Sequence, residues 1–411
     1  MADRPSSWRA DLLGLFGELA WQARRTAGAI GRAIDRDPPQ IIGYRGYGTP
    51  ERVLALGRVL QDEGIRAPRA DQSRWHNLVA SLRRIESDPF PFARVQASFP
   101  GPGGARAEEI VADDEGFLRR WLSPPATLGS SAWHPVALSL VDPPNAVPVR
   151  ATASILVPSP AARFGVISDM DDTVLQSEVT SFLRAARMVL LENALTRLPF
   201  PGVAAFYRAL ERGATGGDAN PIFYVSSSPW NLYDVIDDFL EAQRIPMGPL
   251  LLRDWDFGRL TDRHVAHKGV AIREILETYP ALPFILVGDS GQEDPEIYAA
   301  LVREHPGRFH AVYIRNVTPR AERTSRIQEL AREVTEAGST LVLADDTLAA
   351  ARHSAAHGWI ASESLDEIGG EKLADEGTTG RKADAPGVAT ETPSTATIVV
   401  DPELSRDDVE P

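Results

Sequence analysis

Phe164-Gly165-Val166-Ile167-Ser168-Asp169-Met170-Asp171-Asp172-Thr173-Val174 decides how this chain is read. An apolar run too short for a helix, 164–167, ends in a polar loop with three carboxylates in four residues. That is the signature of a buried strand whose carboxyl end carries acids. The same grammar recurs downstream. The run 222–225 leads into Ser226-Ser227-Ser228-Pro229-Trp230, and 284–287 leads into Gly288-Asp289-Ser290-Gly291-Gln292-Glu293-Asp294. Runs at 311–314 and 341–343 follow, with helical patterns at 232–240 and 270–278 between them. Such alternation argues a parallel sheet covered by helices. In open parallel sheets ligands bind beyond the carboxyl ends of the strands. Asp169, Asp171, Ser226, Asp289 and Asp294 all fall there.

Composition narrows the options. A chain of 411 residues, at roughly 150 per domain, suggests two or three domains. Hydrophobic residues at 43% and charged residues at 24% describe a globular protein. There is no Cys, which excludes disulfides, a thiolate nucleophile and a zinc–thiolate site. The net charge of -14 is opposite to the footprint of a nucleic-acid binder, so no nucleic-acid partner is expected. Much of that charge lies in 362–411, with 13 acids against 4 bases. Of 43 basic residues only three are lysines, and Lys268 is the one that precedes the acidic tail. A compact ammonium in an otherwise arginine-using chain marks a place where a point charge is needed.

Other segments carry less chemistry. Trp8, Leu12, Leu15, Phe16 and Leu19 share one face of a helix predicted over 8–35. Two readings are open: a helix packed on the protein's own core, or an interfacial helix lying on a membrane. No apolar run approaches the ~20 residues of a membrane span, and no secretory leader is expected. The expected location is the cytoplasm, and the interfacial reading of that helix adds peripheral membrane contact. Short strands at 53–56, 93–99, 136–141 and 149–157, a hairpin-like pattern around Asp114-Glu115-Gly116, and a helix at 75–85 suggest a small β-sandwich or barrel-like domain.

The motifs themselves carry a resemblance. D-x-D-x-T at 169–173, Ser226 at a strand end, Lys268, and G-D-x-x-x-x-D at 288–294 stand 57, 99 and 120 residues apart, counted from Asp169 to Ser226, Lys268 and Asp289. This order resembles the four motifs of the haloacid dehalogenase superfamily. The strings Phe200-Pro201-Gly202-Val203, Tyr224-Val225-Ser226-Ser227-Ser228-Pro229-Trp230-Asn231-Leu232-Tyr233 and Gly288–Tyr298 are similar to a narrower group, the actin-patch-type phosphatidate phosphatase catalytic domain. The likeness covers about 160–360, with a weaker one at 43–49 and 57–60. The segment patterns give an amphipathic helix at 1–38, a β-rich, sandwich-like domain at 39–160 and a disordered acidic tail at 362–411; the likeness implies an α/β, parallel-sheet Rossmann-like phosphatase domain at 161–361. It also implies a phosphorylated lipid substrate. A soluble phosphate ester or phosphoprotein remains an alternative, as does a membrane-associated interaction protein.

The residue chemistry agrees with that likeness. Phosphoester hydrolysis needs a nucleophile, a proton for the leaving oxygen and positive charge for the phosphoryl oxygens. Asp169 can attack phosphorus and form an aspartyl-phosphate. Asp171 can protonate the leaving alkoxide and then deprotonate water. Acids this close together call for a hard cation, and Mg²⁺ fits Asp169, Asp289 and the Asp171 carbonyl. Lys268 is expected to pair with Asp169 and the phosphate, and Ser226 to bond a phosphoryl oxygen. Asp294, ahead of Pro295, reads either as a helix cap or, by the resemblance, as a further acid of the metal group that orients the site. Asp172 and Thr173 read as loop braces, Ser228-Pro229 as a helix start, and Asp345-Asp346 as a strand-to-helix turn.

Overall fold

The computed structural model describes residues 38–61, 88–99, 107–129, 132–170, 201–253, 264–317, 320–383 and 398–400. The expected helices at 8–35 and 75–85, the helical pattern at 181–195, and Asp171, Asp172 and Thr173 lie outside the described residues. Among the described residues no helix is long and apolar enough to cross a membrane. These residues fall into two units, one ending at Val157 and the other resuming at Pro158.

The first unit is a single seven-stranded sheet. Its strands are β1 (Pro39–Gly48), β2 (Val53–Gln61), β3 (Arg94–Ser98), β4 (Ala107–Val111), β5 (Phe117–Leu122), β6 (Trp133–Asp142) and β7 (Arg150–Leu156). They lie in the order β4-β3-β6-β7-β1-β2-β5. All pairs are antiparallel except β1 with β7. Of the two expectations, a sandwich or a barrel-like domain, the first is corrected: the unit is one curled sheet, close to a barrel. The hairpin expected around 114–116 explains why. The turn exists, but β4 ladders with β3 and β5 with β2, so it joins the two edges of the sheet. Asp113 Oδ1 accepts the amides of Glu115 at 3.0 Å and Phe117 at 2.8 Å. Gly116 takes φ 81, a left-handed value that a side chain would resist. Curling brings one face of every strand inward, where Val53, Val59, Val95, Leu118, Val136, Leu138 and Ile155 form one buried cluster.

The second unit is built on β8 (Gly165–Asp169), α1 (Val203–Arg212), β9 (Ile222–Pro229), α2 (Tyr233–Ala242), β10 (Leu250–Arg253), α3 (His264–Thr278), β11 (Phe284–Asp289), α4 (Asp294–Glu304), β12 (Phe309–Arg315), α5 (Ala321–Glu336), β13 (Thr340–Ala344), α6 (Thr347–Ala356), α7 (Ser364–Ala383) and β14 (Ile398–Val400). The sheet order is β10-β9-β8-β11-β12-β13-β14. All neighbours are parallel except the β13–β14 pair. Continuous apolar runs such as Ile222-Phe223-Tyr224-Val225 are what strands covered on both faces require. Helix α5 shows the matching helical period, burying Ile327, Leu330, Ala331 and Val334. The chain leaves β8 toward β9 and returns to β11 on the other side of β8. That reversal opens a crevice between the carboxyl ends of β8 and β11.

Two expectations are corrected here. Pro229, with φ -72 and ψ 154, ends β9 in extended conformation, and a 3-10 turn at Trp230–Leu232 precedes α2, so Ser228-Pro229 does not start the helix. Residues 364–383 of the supposed disordered tail form α7. Its acids explain the gain of order. Asp375 Oδ2 accepts the Gly202 amide at 2.9 Å and Glu371 Oε1 the Ala205 amide at 2.8 Å, capping α1. Arg208 reaches Glu371 at 2.6 Å and Glu367 at 3.1 Å, and Arg212 reaches Glu367 at 2.6 Å. Lys372 binds Asp346 at 2.6 Å, and Asp346 caps α6 through the Ala349 amide, as a strand-to-helix turn should.

The α7 contacts should titrate. The Arg212 bond leads in holding the Glu367 carboxyl below its ordinary 4.5. Burial pushes Asp346 up, but the Lys372 ammonium and the Ala349 amide hold it below its ordinary 3.8. Depressed carboxyls stabilise fully above their unfolded values and lose that contribution as pH falls through the lower folded ones. Asp375, pushed up mainly by burial, acts in the opposite sense and blunts the loss. Hydrogen exchange corrected for intrinsic rates should therefore show α7 protected at neutral pH and opening below about pH 4. Arg208→Ala should lower its protection at neutral pH by about 1 kcal/mol. Protection that is independent of both changes would contradict the brace.

Candidate active site

The carboxyl ends of β8 and β11 bring Asp169 and Asp289 together with Asp294, the first residue of α4. One carboxylate oxygen from each lies within 4.8 Å of the others. Lys268, from α3, joins them. Its Nζ stands 2.7 Å from Asp169 Oδ1 and 2.9 Å from Asp294 Oδ1, with Gln292 Oε1 at 3.4 Å. The Lys268 side chain is 4% exposed, that of Asp169 3% and that of Asp294 0%, so these charges are paired away from water. A buried ammonium is tolerated only with such partners.

Asp294 is more than a helix cap. The cap position belongs to Glu293, whose side chain makes no capping bond. Asp294 uses Oδ1 for Lys268 and Oδ2 for the Asp289 amide at 3.2 Å. Asp289 Oδ1 in turn accepts the amides of Gly291 at 2.6 Å and Gln292 at 3.2 Å, which fixes its rotamer across the loop. Pro295 gives α4 a pre-set first turn, and acids there suit its positive end.

Ser226 follows Val225, the register partner of Asp169. It is 1% exposed, and its hydroxyl oxygen accepts the Ser228 amide at 3.0 Å. Among the predicted site residues, then, Asp169, Lys268, Asp289 and Asp294 form one bonded group and Ser226 lies on the adjacent strand. Asp171 lies outside the described residues. The donor set suits a hard cation: three carboxylates, all oxygen, with two more formal negative charges than the single ammonium offsets.

Several supporting residues were not foreseen. Arg323, on α5, donates Nε to Ser290 O at 2.8 Å and Nη2 to Gln292 O, and pairs with Glu296. It thereby pins the loop that carries Asp289. No sequence signal links it to a motif more than thirty residues upstream. Ser168 bonds Tyr207 on α1 at 2.6 Å. Burial pushes the Tyr207 hydroxyl up to about 12, against the opposing pull of the Ser168 bond. Tyr298 donates to Val287 O at 3.2 Å, and burial, then the nearby Asp294 charge, pushes its hydroxyl well above its ordinary value. Both tyrosines stay neutral beside the acids. Tyr298 lies in a quoted motif string, and so does Gly288. A Cβ on Gly288 would come 2.7 Å from Asp294 Oδ2 and 2.8 Å from the Tyr298 ring.

Comparison with known proteins gives this geometry a context. Residues 164–316, which include every described site residue, match the family model described as phosphatidate phosphatase APP1, catalytic domain. Over 154 residues the chain is 32% identical to phosphatidate phosphatase APP1 of Saccharomyces cerevisiae, covering 37% of this chain and 25% of the yeast protein. Over 155 residues it is 26% identical to an uncharacterized protein of Schizosaccharomyces pombe, again covering 37% and 25%. The match thus spans about a quarter of the length of these curated relatives. It supports, for that segment, the catalytic-domain family that the motifs resemble. Among solved structures, a Bifidobacterium dentium beta-glucuronidase aligns at a TM-score of 0.23 and 11% identity, covering 82% of this chain and 58% of that one. A likeness that low carries no argument.

The close approach at Gly288 is testable. Gly288→Ala should force Asp294 away from Lys268 and the Asp289 amide. The expected cost is about 1–3 kcal/mol in denaturant unfolding, with weaker binding of Mg²⁺ by calorimetry. Unchanged stability and unchanged metal binding would show that the contact is not required.

Proposed function

We propose that this chain is a Mg²⁺-dependent phosphomonoesterase of the haloacid dehalogenase superfamily, acting on phosphatidate or a related phosphorylated lipid. The observation that carries the reading is the Asp169–Lys268–Asp294 group at a strand end, inside the segment similar to a phosphatidate phosphatase catalytic domain. Two further features of the proposal are a cytoplasmic location and peripheral membrane contact through residues 8–35.

In this reading Asp169 is the nucleophile. Its carboxylate oxygen attacks phosphorus, the bond from phosphorus to the alkoxide oxygen breaks, and an aspartyl-phosphate forms. Asp171 gives its proton to the departing alkoxide, so diacylglycerol leaves neutral when phosphatidate is the substrate. Asp171 then takes a proton from water, whose oxygen attacks phosphorus and returns Asp169 with release of inorganic phosphate. Lys268 orients Asp169 and offsets charge on the phosphoryl oxygens. Ser226, its oxygen already accepting the Ser228 amide, donates its hydroxyl proton to a phosphoryl oxygen. Asp169, Asp289 and Asp294, with the Asp171 carbonyl, would hold the metal, and Asp294 also orients Lys268 and the Asp289 loop. Mg²⁺ bound there supplies positive charge to the phosphoryl oxygens.

Leaving-group dependence tests the roles. A poor leaving group needs a proton and a good one does not. Asp171→Asn should slow phosphate release from alkyl phosphates by about 10²–10⁴-fold, and from nitrophenyl phosphate far less. EDTA should abolish both reactions and added Mg²⁺ restore them. Equal losses on the two substrates would remove Asp171 from proton transfer. Undiminished, EDTA-resistant release by the wild type would remove the metal.

A further inference from the structure

The loop after β11, which carries Asp289, is held from three sides. Its own acids take the first share: Asp294 accepts the Asp289 amide, and Asp289 Oδ1 accepts those of Gly291 and Gln292. The end of β12 takes the second. The Ser290 amide donates to Arg315 O at 2.7 Å, and the Ser290 hydroxyl oxygen accepts the Val317 amide at 3.0 Å. The carbonyl oxygens of Ser290 and Gln292 go to the third, the Arg323 guanidinium of α5, through Nε at 2.8 Å and through Nη2.

Arg323 stands in an unfavourable place for a cation. It lies in the first turn of α5, where the helix presents the positive end of its dipole. Its ion pair with Glu296 does not explain it either. The two side chains are 23% and 34% exposed, and a pair that wet contributes little. The carbonyl bonds are different. Ser290 is 1% exposed, so its carbonyl has little access to water if the arginine is removed. Bonding two carbonyls at once needs a planar fork of fixed donors, which a lysine lacks.

One peptide group joins this fork to the acids. The Ser290 carbonyl and the Gly291 amide share a plane and point to opposite sides of it. Arg323 Nε grips the oxygen, and Asp289 Oδ1 takes the amide hydrogen at 2.6 Å. A cation on the oxygen polarises the group and strengthens the amide as a donor. It also stops the plane from rotating, which would swing the amide off Asp289. Gln292 repeats the link. Its carbonyl meets Arg323, its amide meets Asp289, and its Oε1 lies 3.4 Å from Lys268 Nζ.

We infer that Arg323 is a positioning residue for the divalent cation. By fixing the 290–291 peptide plane and Gln292, it holds the Asp289 carboxylate ready to ligate. The inference rests on the metal-binding part of the proposed function. It adds that the ligand geometry is set from α5, outside the 164–316 segment similar to the catalytic domain.

Mg²⁺ titrated calorimetrically into the full chain tests this without turnover. Arg323→Lys keeps a cation opposite Glu296 and loses the fork. Glu296→Gln loses the ion pair and leaves both carbonyl bonds. Arg323→Lys should weaken Mg²⁺ binding by about 10–100-fold, the usual loss for a group that orients a metal ligand. Glu296→Gln should weaken it by no more than about threefold. Arg323→Gln, able to reach one carbonyl but not both, should lose as much as Arg323→Lys and serves if the latter does not fold. A measurement on the wild type needs no variant: Mg²⁺ should slow hydrogen exchange in 289–294 and in the first turn of α5 together. Wild-type affinity in a folded Arg323 variant, an equal loss in Glu296→Gln, or exchange slowed in 289–294 alone would overturn the assignment. The two readings fail separately. A wild type that binds no Mg²⁺ would remove the metal, and this role with it. Tight Mg²⁺ binding by the wild type and by Arg323→Lys alike would keep the metal and remove only the role of Arg323.

Discussion

One buried ammonium organises the carboxyl edge of this sheet. Lys268 stands between Asp169 and Asp294, within 3 Å of each, and little of any of the three side chains reaches water. Three acids gathered there would repel one another in a low-dielectric site. The lysine offsets one charge and ties the end of β8 to the start of α4. Removing one partner from such a buried group costs about 3–5 kcal/mol, because the others are left uncompensated. The geometry is therefore over-determined, as a preorganised site requires. The remaining excess of negative charge is the physical reason for expecting a divalent cation.

The rest of the second unit serves that arrangement. The reversal of strand order at β8 places Asp169 and Asp289 on adjacent strands. Arg323 ties down the loop after β11 from α5, and Gly288 leaves Asp294 room to approach. Tyr207 links Ser168 to α1, whose first-turn amides are capped by carboxylates of α7. A chain of hydrogen bonds thus runs from the acidic end of the protein to the strand that carries Asp169.

Much of this was legible in the sequence because it is written in local patterns. The runs at 164–167, 222–225, 284–287, 311–314 and 341–343 each became a parallel strand, since runs of three or four buried residues bounded by polar loops have few other solutions. Asp169, Lys268, Asp289 and Asp294 were found because strand ends are where ligands sit and because a lone lysine is conspicuous. What escaped depends on tertiary partners. The sheet of the first unit closes through the register of β4 and β5, which no local turn signal reveals. Helix α7 reads as a solvated acidic tail until Arg208, Arg212 and Lys372 are placed against it. Arg323 carries no motif, and its role exists only once α5 crosses the 289–296 loop. Asp171, the residue assigned proton transfer, is read from its spacing from Asp169 and from the D-x-D-x-T motif.

The central claim is that Asp169 becomes covalently phosphorylated. Rapid acid quenching during turnover of phosphatidate, followed by peptide mapping, tests it most directly. The account predicts an acid-stable, hydroxylamine-labile phosphoryl group on the peptide containing Asp169, absent from Asp169→Asn. Phosphate release with no trapped acyl phosphate, or steady release by a folded Asp169→Asn protein, would contradict it.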